Sequence, residues 1–560
     1  MGDPGQGEAP GLEKSASARR FRESAEVFWR ILGGMALIVL TAKEMRDADQ
    51  DAIGRVGIPS IQLMEKAGAA VVSVIERRFP KARDVLVVVG KGNNGGDGLV
   101  IARLLRRMGT QARVWLACDP TGLSGDAAIN RDRARDAGVA FHGGAGVAIR
   151  DLEVDLATVD LVVDAVFGTG LQGAPRGFPA EVISALACCD VPIIAVDGPS
   201  GLSGDTGQVP GAIVSADVTV ALGALKLGLL LHPARAYCGD LEVVDIGIPA
   251  ESLERTVPSR LLWEPEDVLA TLPSRAADAH KGSVGRLAVI AGSPGMTGAA
   301  CLTAEAALRS GAGLVYLAAP EVLLPTLAVK LTEVVLCPLP CASNGFLDVS
   351  SVLPALEVAE QTDAVVLGPG LGRVASPFVA EFLRGRGDWP LLVDADGLNA
   401  LEPRLGRGIR PGRDVLTPHL GELASLLGRA RIEPQGRLEA LLDVSRVYSG
   451  AVVVAKGAPT LVGSIAEPVR VVGTGNSGMA TAGMGDVLSG VIGALLAAGV
   501  SALDAATAGA FLHGVAGDIA AEEFGVGLLA GDVRDRVPAA ILEILGQDGG
   551  GGVTGRTARQ

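Results

Sequence analysis

Short apolar runs alternate with segments of helical periodicity along most of this chain, and that alternation constrains the fold more than any other feature. Strands that alternate with helices predict a parallel sheet covered by helices on both faces. The pattern occurs in two series, at about residues 40–250 and from about residue 280 onward. We therefore predict an α/β protein with two domains, each a three-layer arrangement built on a largely parallel sheet.

Each series contains short apolar runs that we predict to be buried strands. In the first series they lie at residues 85–89, 112–117, 161–163, 192–196, 218–222 and 241–246, with helices at 60–78 and 98–108. In the second series they lie at 287–291, 313–318, 364–367, 391–394 and 451–456, with helices at 297–311, 485–498 and 502–521. Residues 249–266 are the predicted junction.

Both ends of the chain differ from the two patterned series. Residues 1–34 begin rich in Gly, Pro and Ala and are predicted to be a flexible extension, with Met35 as a candidate translation start. Residues 546–560 form a Gly-rich tail that we predict to be disordered. The predicted domains are accordingly residues 35–258 and residues 259–545.

The composition excludes several classes of partner. Asp and Glu (63) outnumber Lys and Arg (49), giving a net charge of −14, whereas nucleic-acid binding favours a basic surface. The 4 Trp, 3 Tyr and 11 Phe are too few for a base-stacking platform, and no apolar run approaches the ~18 residues of a membrane span. We expect a cytoplasmic homo-oligomer that binds neither nucleic acid nor membranes. Its seven scattered cysteines are predicted to be small buried hydrophobes.

A glycine-rich stretch follows the first predicted strand. Residues 90–98 read Gly-Lys-Gly-Asn-Asn-Gly-Gly-Asp-Gly and open a predicted helix, so backbone N–H groups and the helix N-terminus favour an anion there. Asp164 and Asp197 each follow a predicted strand and precede glycines. Because ligands bind beyond the carboxyl ends of parallel strands, these groups are expected to share one crevice. Acidic helix caps are the alternative interpretation of each aspartate.

These motifs, together with 163–170 (Val-Asp-Ala-Val-Phe-Gly-Thr-Gly) and 196–201 (Val-Asp-Gly-Pro-Ser-Gly), resemble the NAD(P)H-hydrate epimerase domain over roughly residues 35–250. The resemblance implies a Rossmann-like fold. It also implies that Asn94, Asp164 and Ser200 hold a potassium ion (K⁺), with Asp164 as the catalytic proton carrier. The implied substrate-binding residues are Asn93, Asn94, Gly95, Gly96, Asp97, Gly168, Thr169, Gly170, Leu171, Gln172, Gly173, Ala174 and Asp197.

The implied substrate is a dihydronicotinamide hydrated at C6. Its ring nitrogen helps to expel the C6 hydroxyl, and water returning to the other face of the iminium inverts the centre. A carboxylate that donates to the leaving hydroxyl and accepts from the incoming water contributes roughly 10²–10⁴ in rate. Such a group must be protonated part of the time, so a raised pKa is expected for Asp164.

The most informative stretch of the C-terminal series is residues 479–490, Met-Ala-Thr-Ala-Gly-Met-Gly-Asp-Val-Leu-Ser-Gly. Small residues lead into an apolar helix with Asp486 in its first turn, which suits an anion and a base beside it. The stretch resembles the Gly-x-Gly-Asp anion loop of ribokinase-like proteins. With residues 368–372, 394–399, 417–422 and 456–460, it resembles the NAD(P)H-hydrate dehydratase domain over about residues 265–540.

This second resemblance implies a ribokinase-like C-terminal domain and the roles of its site residues. Asp486 is the implied catalytic base, and Ala299, Gly370, His419 and Asp486 are the implied hydrate-binding residues. The implied nucleotide-binding residues are Lys456, Gly457, Ala458, Pro459, Thr460 and Gly485. Pro459 departs from the family pattern, in which Gly is expected, and removes one backbone donor.

The implied reaction couples phosphoryl transfer to elimination. Asp486 deprotonates the C6 hydroxyl, the terminal phosphoryl group of ADP moves to that oxygen, and phosphate then leaves. Phosphoryl transfer needs charge neutralisation, so Mg²⁺ is the expected cofactor. We therefore predict a bifunctional enzyme that epimerises hydrated NADH and NADPH and dehydrates the S form. A small-molecule kinase fused to a nucleotide-binding module, and a nucleotide sensor without turnover, are the alternatives.

Overall fold

The computed structural model describes residues 37–144, 146–255, 260–401 and 408–546 and places them in two sheets flanked by helices. The predicted extension at 1–34 and all but the first residue of the predicted tail lie outside the described residues. The strands are β1 (Leu37–Leu40), β2 (Asp84–Val89), β3 (Gln111–Leu116), β4 (Ala140–Gly143), β5 (Leu161–Ala165), β6 (Ile193–Val196), β7 (Val218–Leu222), β8 (Leu225–Lys226), β9 (Asp240–Val244), β10 (Arg260–Leu262), β11 (Arg286–Ile290), β12 (Leu314–Pro320), β13 (Val335–Leu339), β14 (Ala364–Leu367), β15 (Leu391–Val393), β16 (Val415–Leu416), β17 (Val452–Ala455), β18 (Thr460–Ser464) and β19 (Glu467–Val472).

Helices follow most strands, as the alternating pattern predicts. In the N-terminal half they are Ala42–Gly54, Ser60–Arg78, Asn93–Arg107, Gly125–Asp136, Ile149–Leu156, Phe178–Ala187, Leu227–Leu230 and Ala250–Arg255. In the C-terminal half they are Pro265–Thr271, Thr297–Arg309, Leu324–Lys330, Val352–Ala359, Ser376–Gly385, Asp396–Asn399, Leu420–Leu426, Arg437–Val447, Met484–Ala497, Ala502–Phe524 and Ala530–Gly546.

The N-terminal sheet has seven strands in the order β4-β3-β2-β5-β6-β7-β9, and every neighbouring pair is parallel. Strands β2, β5 and β6 are adjacent, so their carboxyl ends lie side by side. The register pairs Val88 with Asp164 and Asp164 with Ala195. Ligands in such sheets bind at this edge, which is where the glycine-rich stretch, Asp164 and Asp197 emerge.

The second sheet crosses the boundary between the two halves. It has twelve strands in the order β13-β12-β11-β14-β15-β16-β17-β18-β19-β10-β1-β8. The strands from β13 to β17 are parallel, and β18 and β19 add an antiparallel hairpin. Strands β1 and β8 of the N-terminal half extend this sheet, with Leu37 opposite Leu262 and Val39 opposite Leu225. The halves therefore share backbone hydrogen bonds.

Every strand predicted from the sequence is present, with each end within two residues of its expected position. The predicted junction at 249–266 contains the strand Arg260–Leu262, which lies between β19 and β1. Two predictions were wrong. The helix expected to begin at Gly98 begins at Asn93. Cys188 is exposed and only Cys238 and Cys301 are buried, although all seven cysteines are free.

The early start of the helix Asn93–Arg107 has a tertiary cause. Its glycines allow close packing: a Cβ at Gly95 would overlap the Gly90 carbonyl oxygen, and one at Gly98 would lie 2.7 Å from the Cβ of Ala165. Packing against β2 and β5 thus stabilises a helical turn that Asn and Gly would not form by propensity alone.

Candidate active sites of the two halves

The first candidate site contains a buried amide without a partner. Asn94 lies in the first turn of the helix Asn93–Arg107, and both its Oδ1 and its Nδ2 are buried without a hydrogen bond. A Cβ built on Gly168 would lie 3.3 Å from both the Asn94 Cγ and the Asp197 Oδ2, so the two predicted substrate loops meet here. A buried polar group without a partner is costly, and this one faces the crevice between the loops.

Asp164 and Ser200 form a closely bonded pair at the carboxyl end of β5. The Asp164 carboxylate is fully buried and accepts the Ser200 Oγ–H at 2.6 Å and the Ser200 backbone N–H at 2.8 Å. Burial raises the pKa of Asp164 to about 6, against the opposing effect of these hydrogen bonds. Asp164 is therefore protonated for part of the time near neutral pH, as expected of a proton carrier.

Asp197 is held ionised by a lysine that the sequence analysis missed. Its carboxylate accepts the Thr169 Oγ–H at 2.6 Å and forms an ion pair with the ammonium of Lys226, which is 1% exposed. Burial alone would raise the pKa of Asp197, but the Lys226 charge lowers it below its ordinary value. No motif flagged Lys226, because it lies on the two-residue strand β8 after an unremarkable apolar run.

Two more carboxylates lie close to this ion pair. Burial raises the pKa of Asp97 well above its ordinary value, and the charges of Asp197 and Asp49 add to the rise. Burial likewise raises the pKa of Asp49 to about 6. Asp49 lies on the helix Ala42–Gly54, outside every motif, so sequence reasoning had no signal for it.

The second candidate site is centred on the first turn of the helix Met484–Ala497. Asp486 is partly buried, and burial together with the negative charge of Asp394 raises its pKa to about 7. A Cβ at Gly485 would lie 3.3 Å from the Lys456 Nζ, so the helix terminus lies close to the ammonium. The predicted base and two predicted nucleotide-binding residues are therefore adjacent.

Lys456 is fixed by carboxylates rather than by the substrate loops. Its Nζ donates to the Asp394 Oδ1 at 2.8 Å and lies 3.6 Å from the Glu422 Oε2. Ser489 donates to the other Asp394 oxygen at 2.7 Å. Burial alone would raise the pKa of Asp394, but the Lys456 charge lowers it. Asp394 lies in the motif at residues 394–399, but the sequence predicted no role for it.

His419 is both a helix cap and a site residue. Its Nδ1 accepts the backbone N–H groups of Gly421 at 3.0 Å and Glu422 at 3.2 Å, and the Glu422 carboxylate accepts the His419 N–H at 2.8 Å. The imidazole is well exposed, at 60% of its side-chain area. Because Nδ1 accepts, the proton of the neutral ring lies on Nε2, which is 3.5 Å from the Glu422 Oε1.

The remaining predicted hydrate-binding residues lie on neighbouring loops. Gly370 has a φ of +62°, and a Cβ there would lie 3.0 Å from the Ala299 Cβ, so the two residues are in contact. The Asp396 carboxylate accepts the Gly372 N–H at 2.8 Å, and its charge contributes to the raised pKa of Asp486. These contacts connect the loop at 368–372 to the helix terminus at Asp486.

The predicted nucleotide loop, residues 456–460, packs on a buried arginine. Arg437 is 4% exposed, donates to the Pro459 carbonyl oxygen, and has an Nε without a partner. A Cβ at Gly457 would overlap its guanidinium. Burial lowers the pKa of Arg437 to about 10. The acceptor for Arg437 is the main-chain oxygen of Pro459, which any residue at this position would supply.

The nucleotide loop and Gly485 line a cavity of about 1570 Å³ between the two halves. Its other wall comes from the N-terminal half, including residues at the amino ends of β7 and β9. The cavity also contains His513, whose pKa burial lowers to about 4 and whose Nε2 has no partner. The first candidate site lies at the carboxyl ends of the strands of this N-terminal sheet, whereas the cavity lies at their amino ends. The first site and the cavity therefore lie at opposite ends of these strands.

The oxygen atoms of the first candidate site suit the coordination of a hard monovalent cation. Asn94, Asp164 and Ser200 offer oxygen atoms, and the unpartnered Asn94 Oδ1 supplies an acceptor that no protein group satisfies. In the part of the chain that the structure describes, no three His, Cys, Asp or Glu side chains cluster as metal ligands. Mg²⁺ at phosphoryl-transfer sites commonly binds substrate phosphates and water together with one or two carboxylates.

Comparison with known proteins shows the family to which both halves belong. The profile of the YjeF-related protein N-terminus matches residues 60–228, and the NAD(P)H-hydrate dehydratase profile matches residues 287–539. The bifunctional NAD(P)H-hydrate repair enzyme Nnr of Moorella thermoacetica is 42% identical over 517 residues, covering 91% of this chain and 97% of that protein. This chain belongs to the family of bifunctional NAD(P)H-hydrate repair enzymes. The Escherichia coli K12 member is 38% identical, covering 88% of this chain and 92% of its own length.

Membership of the family confirms the predicted fold class, with a Rossmann-like N-terminal domain and a ribokinase-like C-terminal domain. The crystal structure of an ADP/ATP-dependent NAD(P)H-hydrate dehydratase from Bacillus subtilis, co-crystallized with ATP/Mg²⁺, is 28% identical. The alignment covers 50% of this chain and 98% of the Bacillus subtilis chain, with a TM-score of 0.43.

In the described ranges, no helix is long and apolar enough to cross a membrane.

Proposed function

We propose that this enzyme repairs hydrated NADH and NADPH in two steps. The N-terminal site interconverts the R and S epimers of the hydrate, and the C-terminal site dehydrates the S form with ADP, giving NAD(P)H, AMP and phosphate. The proposal rests mainly on Asp486. Its carboxyl group has a pKa of about 7, lies in the first turn of a helix, and is adjacent to the Lys456 ammonium. A carboxylate base next to a cationic group that can bind phosphate suits the transfer of a phosphoryl group to a hydroxyl.

In the epimerase step, Asp164 serves as the proposed proton carrier. Its protonated form donates to the departing C6 hydroxyl while the ring nitrogen lone pair forms an iminium. The resulting carboxylate accepts a proton from the water that adds to the opposite face, so proton and hydroxyl balance over the cycle. The pKa of about 6 supports both halves of the cycle near neutral pH. K⁺ held by Asn94, Asp164 and Ser200 would contribute positive charge to this crevice.

In the dehydratase step, Asp486 removes the proton of the C6 hydroxyl, and the oxygen attacks the terminal phosphorus of ADP as the bond to AMP breaks. The C6–O bond then breaks with phosphate as the leaving group, and loss of a C5 proton restores the ring double bond. Lys456, held by Asp394 and Glu422, neutralises developing charge on the transferred group. Mg²⁺ bound to the nucleotide would supply further charge neutralisation.

The proposed ligand contacts follow the two sites. The hydrate would lie against Ala299, Gly370 and His419, with the Nε2–H of His419 as a donor. The nucleotide would lie along residues 456–460 and Gly485. The groups proposed for the epimerase substrate are Asn93–Asp97, Gly168–Ala174 and Asp197. We further propose a division of the chain near residue 258, a homo-oligomeric assembly and a cytoplasmic location.

Incubation of the full chain with a mixture of both epimers and ADP tests the proposal. We expect full recovery of the absorbance of reduced nicotinamide, with AMP and phosphate formed in equal amounts. A phosphorylated product that accumulates without recovered absorbance would identify a small-molecule kinase instead. Binding of both compounds without turnover would identify a nucleotide sensor. ATP in place of ADP measures the preference for the phosphoryl donor.

A further inference from the structure

An arginine of the N-terminal half lines the same cavity as the nucleotide loop of the C-terminal half. Arg235 lies on the short turn Ala234–Tyr237, is partly exposed, and donates to the Gly239 carbonyl oxygen at 2.8 Å. Among the residues described by the structure, it forms no ion pair. Arg77 and Arg78 line this cavity too, but they form ion pairs with Glu242 and Asp240.

A second unpaired arginine approaches from the C-terminal half. Arg437 is buried behind the nucleotide loop, and no carboxylate in the described part of the chain pairs with it. The pKa of His232 lies below its ordinary value because of partial burial and the charges of Arg235 and Arg437, so both guanidinium groups lie near one imidazole. Arg235 lines the cavity together with residues 456–460, and Arg437 donates to the Pro459 carbonyl oxygen of that loop.

Guanidinium groups that form no ion pair within the described part of the chain favour an anion, and Arg235 is such a group in the cavity wall. A buried cation without a partner is costly, and arginine binds phosphate through paired, charge-assisted hydrogen bonds. The cavity of about 1570 Å³ exceeds the ~300–1,000 Å³ of an ordinary small-molecule pocket, so it has room for a nucleotide. Of the carboxylates that line the cavity, Glu242 and Asp240 form ion pairs with Arg77 and Arg78, and Asp217 accepts the Ile193 backbone N–H at 2.9 Å.

We propose that the two halves jointly bind a phosphate group of a nucleotide in this cavity, with Arg235 as the contacting residue and Arg437 as a positioning residue. The inference rests on the proposed function, because the nucleotide is one that the dehydratase step uses. The phosphate belongs either to the phosphoryl donor or to the dinucleotide itself. The N-terminal half thus contributes to the reaction of the C-terminal half, although its own site lies at the opposite edge of its sheet.

The test is the binding of ADP and of NADP⁺, a stable dinucleotide, to the full chain by titration calorimetry. Arg235→Gln is expected to weaken the binding of one ligand by about 5- to 20-fold, as the loss of a charge-assisted hydrogen bond predicts. Arg77→Gln is the matched control, since it removes the same charge from the same cavity wall, where Glu242 already neutralises it. This control is expected to change binding by less than about 2-fold.

Each outcome decides the proposal. Weaker ADP binding with unchanged NADP⁺ binding assigns the phosphate to the donor, and the reverse assigns it to the dinucleotide; both support the inference. Unchanged binding of both ligands by Arg235→Gln, an equal loss in Arg77→Gln, or no binding by the parent protein overturns it. Because binding is measured without turnover, failure of dehydration alone refutes the proposed function and leaves this test intact.

Arg437 is tested by kinetics because it acts through the loop. Arg437→Met is expected to raise the KM for the nucleotide about 5- to 20-fold with kcat within about 2-fold of the parent value. Arg437→Lys keeps the charge and is expected to recover part of the loss. A fall in kcat with an unchanged KM, or no recovery with lysine in a variant whose thermal midpoint is unchanged, would overturn the positioning role.

Discussion

Replacing Asp486 with asparagine is expected to abolish dehydration while making the protein more stable. The variant keeps the shape of the side chain but removes the base, so dehydration falls by roughly 10²–10⁴-fold. Epimerisation continues, because that site lies on the other half of the chain. In the parent enzyme only the ionised carboxylate acts as base, so the rate falls about tenfold per pH unit below the pKa of about 7.

The stability gain follows from the sign of the same pKa shift. The pKa of Asp486 rises from 3.8 to about 7 on folding, so the ionised group destabilises the fold increasingly between these values and constantly above them. The full difference is roughly 4 kcal/mol, and partial solvent exposure reduces it to about 1–2 kcal/mol. Thermal unfolding of the variant at pH 8 should therefore have a midpoint about 1–3 °C above that of the parent, with no gain near pH 4.

A matched control separates this effect from a general loss of helix-terminal charge. Asp504 lies in the first turn of the adjacent helix Ala502–Phe524 and is paired with Arg470 at 2.6 Å. Asp504→Asn is expected to leave dehydration unchanged and to lower the unfolding midpoint slightly. The reasoning is refuted if Asp486→Asn retains dehydration, loses both activities, or is no more stable than the parent at pH 8.

Three further changes have distinct expected results. Asp164→Ala should leave the S epimer repaired and the R epimer untouched, measured as the recovered fraction of a mixture; complete recovery at a rate above the spontaneous one would remove Asp164 from the mechanism. Lys226→Met leaves the buried charge of Asp197 unpaired and should destabilise the protein by about 3–5 kcal/mol in denaturant unfolding, with Asp197→Asn restoring part of the loss. An unchanged midpoint would contradict the ion pair. Gly457→Ala should weaken ADP binding at least ~10-fold in calorimetry, because its Cβ overlaps Arg437; parent-like affinity would contradict the close approach.

The sequence predicted the elements that carry the sites more closely than it predicted their surroundings. Apolar runs such as residues 85–89 and 364–367 are strands because burial on both faces of a parallel sheet requires continuous hydrophobicity. The expected crevice at Asp164 and Asp197 follows from the same pattern, since both residues end adjacent strands. The roles of individual site residues stay predictions until the variants are measured.

Other features depended on contacts between residues distant in sequence. Lys226 and Asp49 belong to no motif, and they join the first site only because β8 and the helix Ala42–Gly54 pack against its loops. The strands β1 and β10 have only four and three residues, and they form because the larger sheet offers them backbone hydrogen bonds.

The amino-acid sequence by itself determined the fold class, the family and the two glycine-bordered carboxylate motifs, because periodicity and short motifs are local properties of the chain. Only the tertiary structure decided which charged side chains lie close together. It fixed the pairing of Lys456 with Asp394, the burial that raises the pKa of Asp486, and the cavity between the halves. Electrostatic free energies depend on distance and burial in three dimensions, and neither can be read from the spacing of residues along the chain.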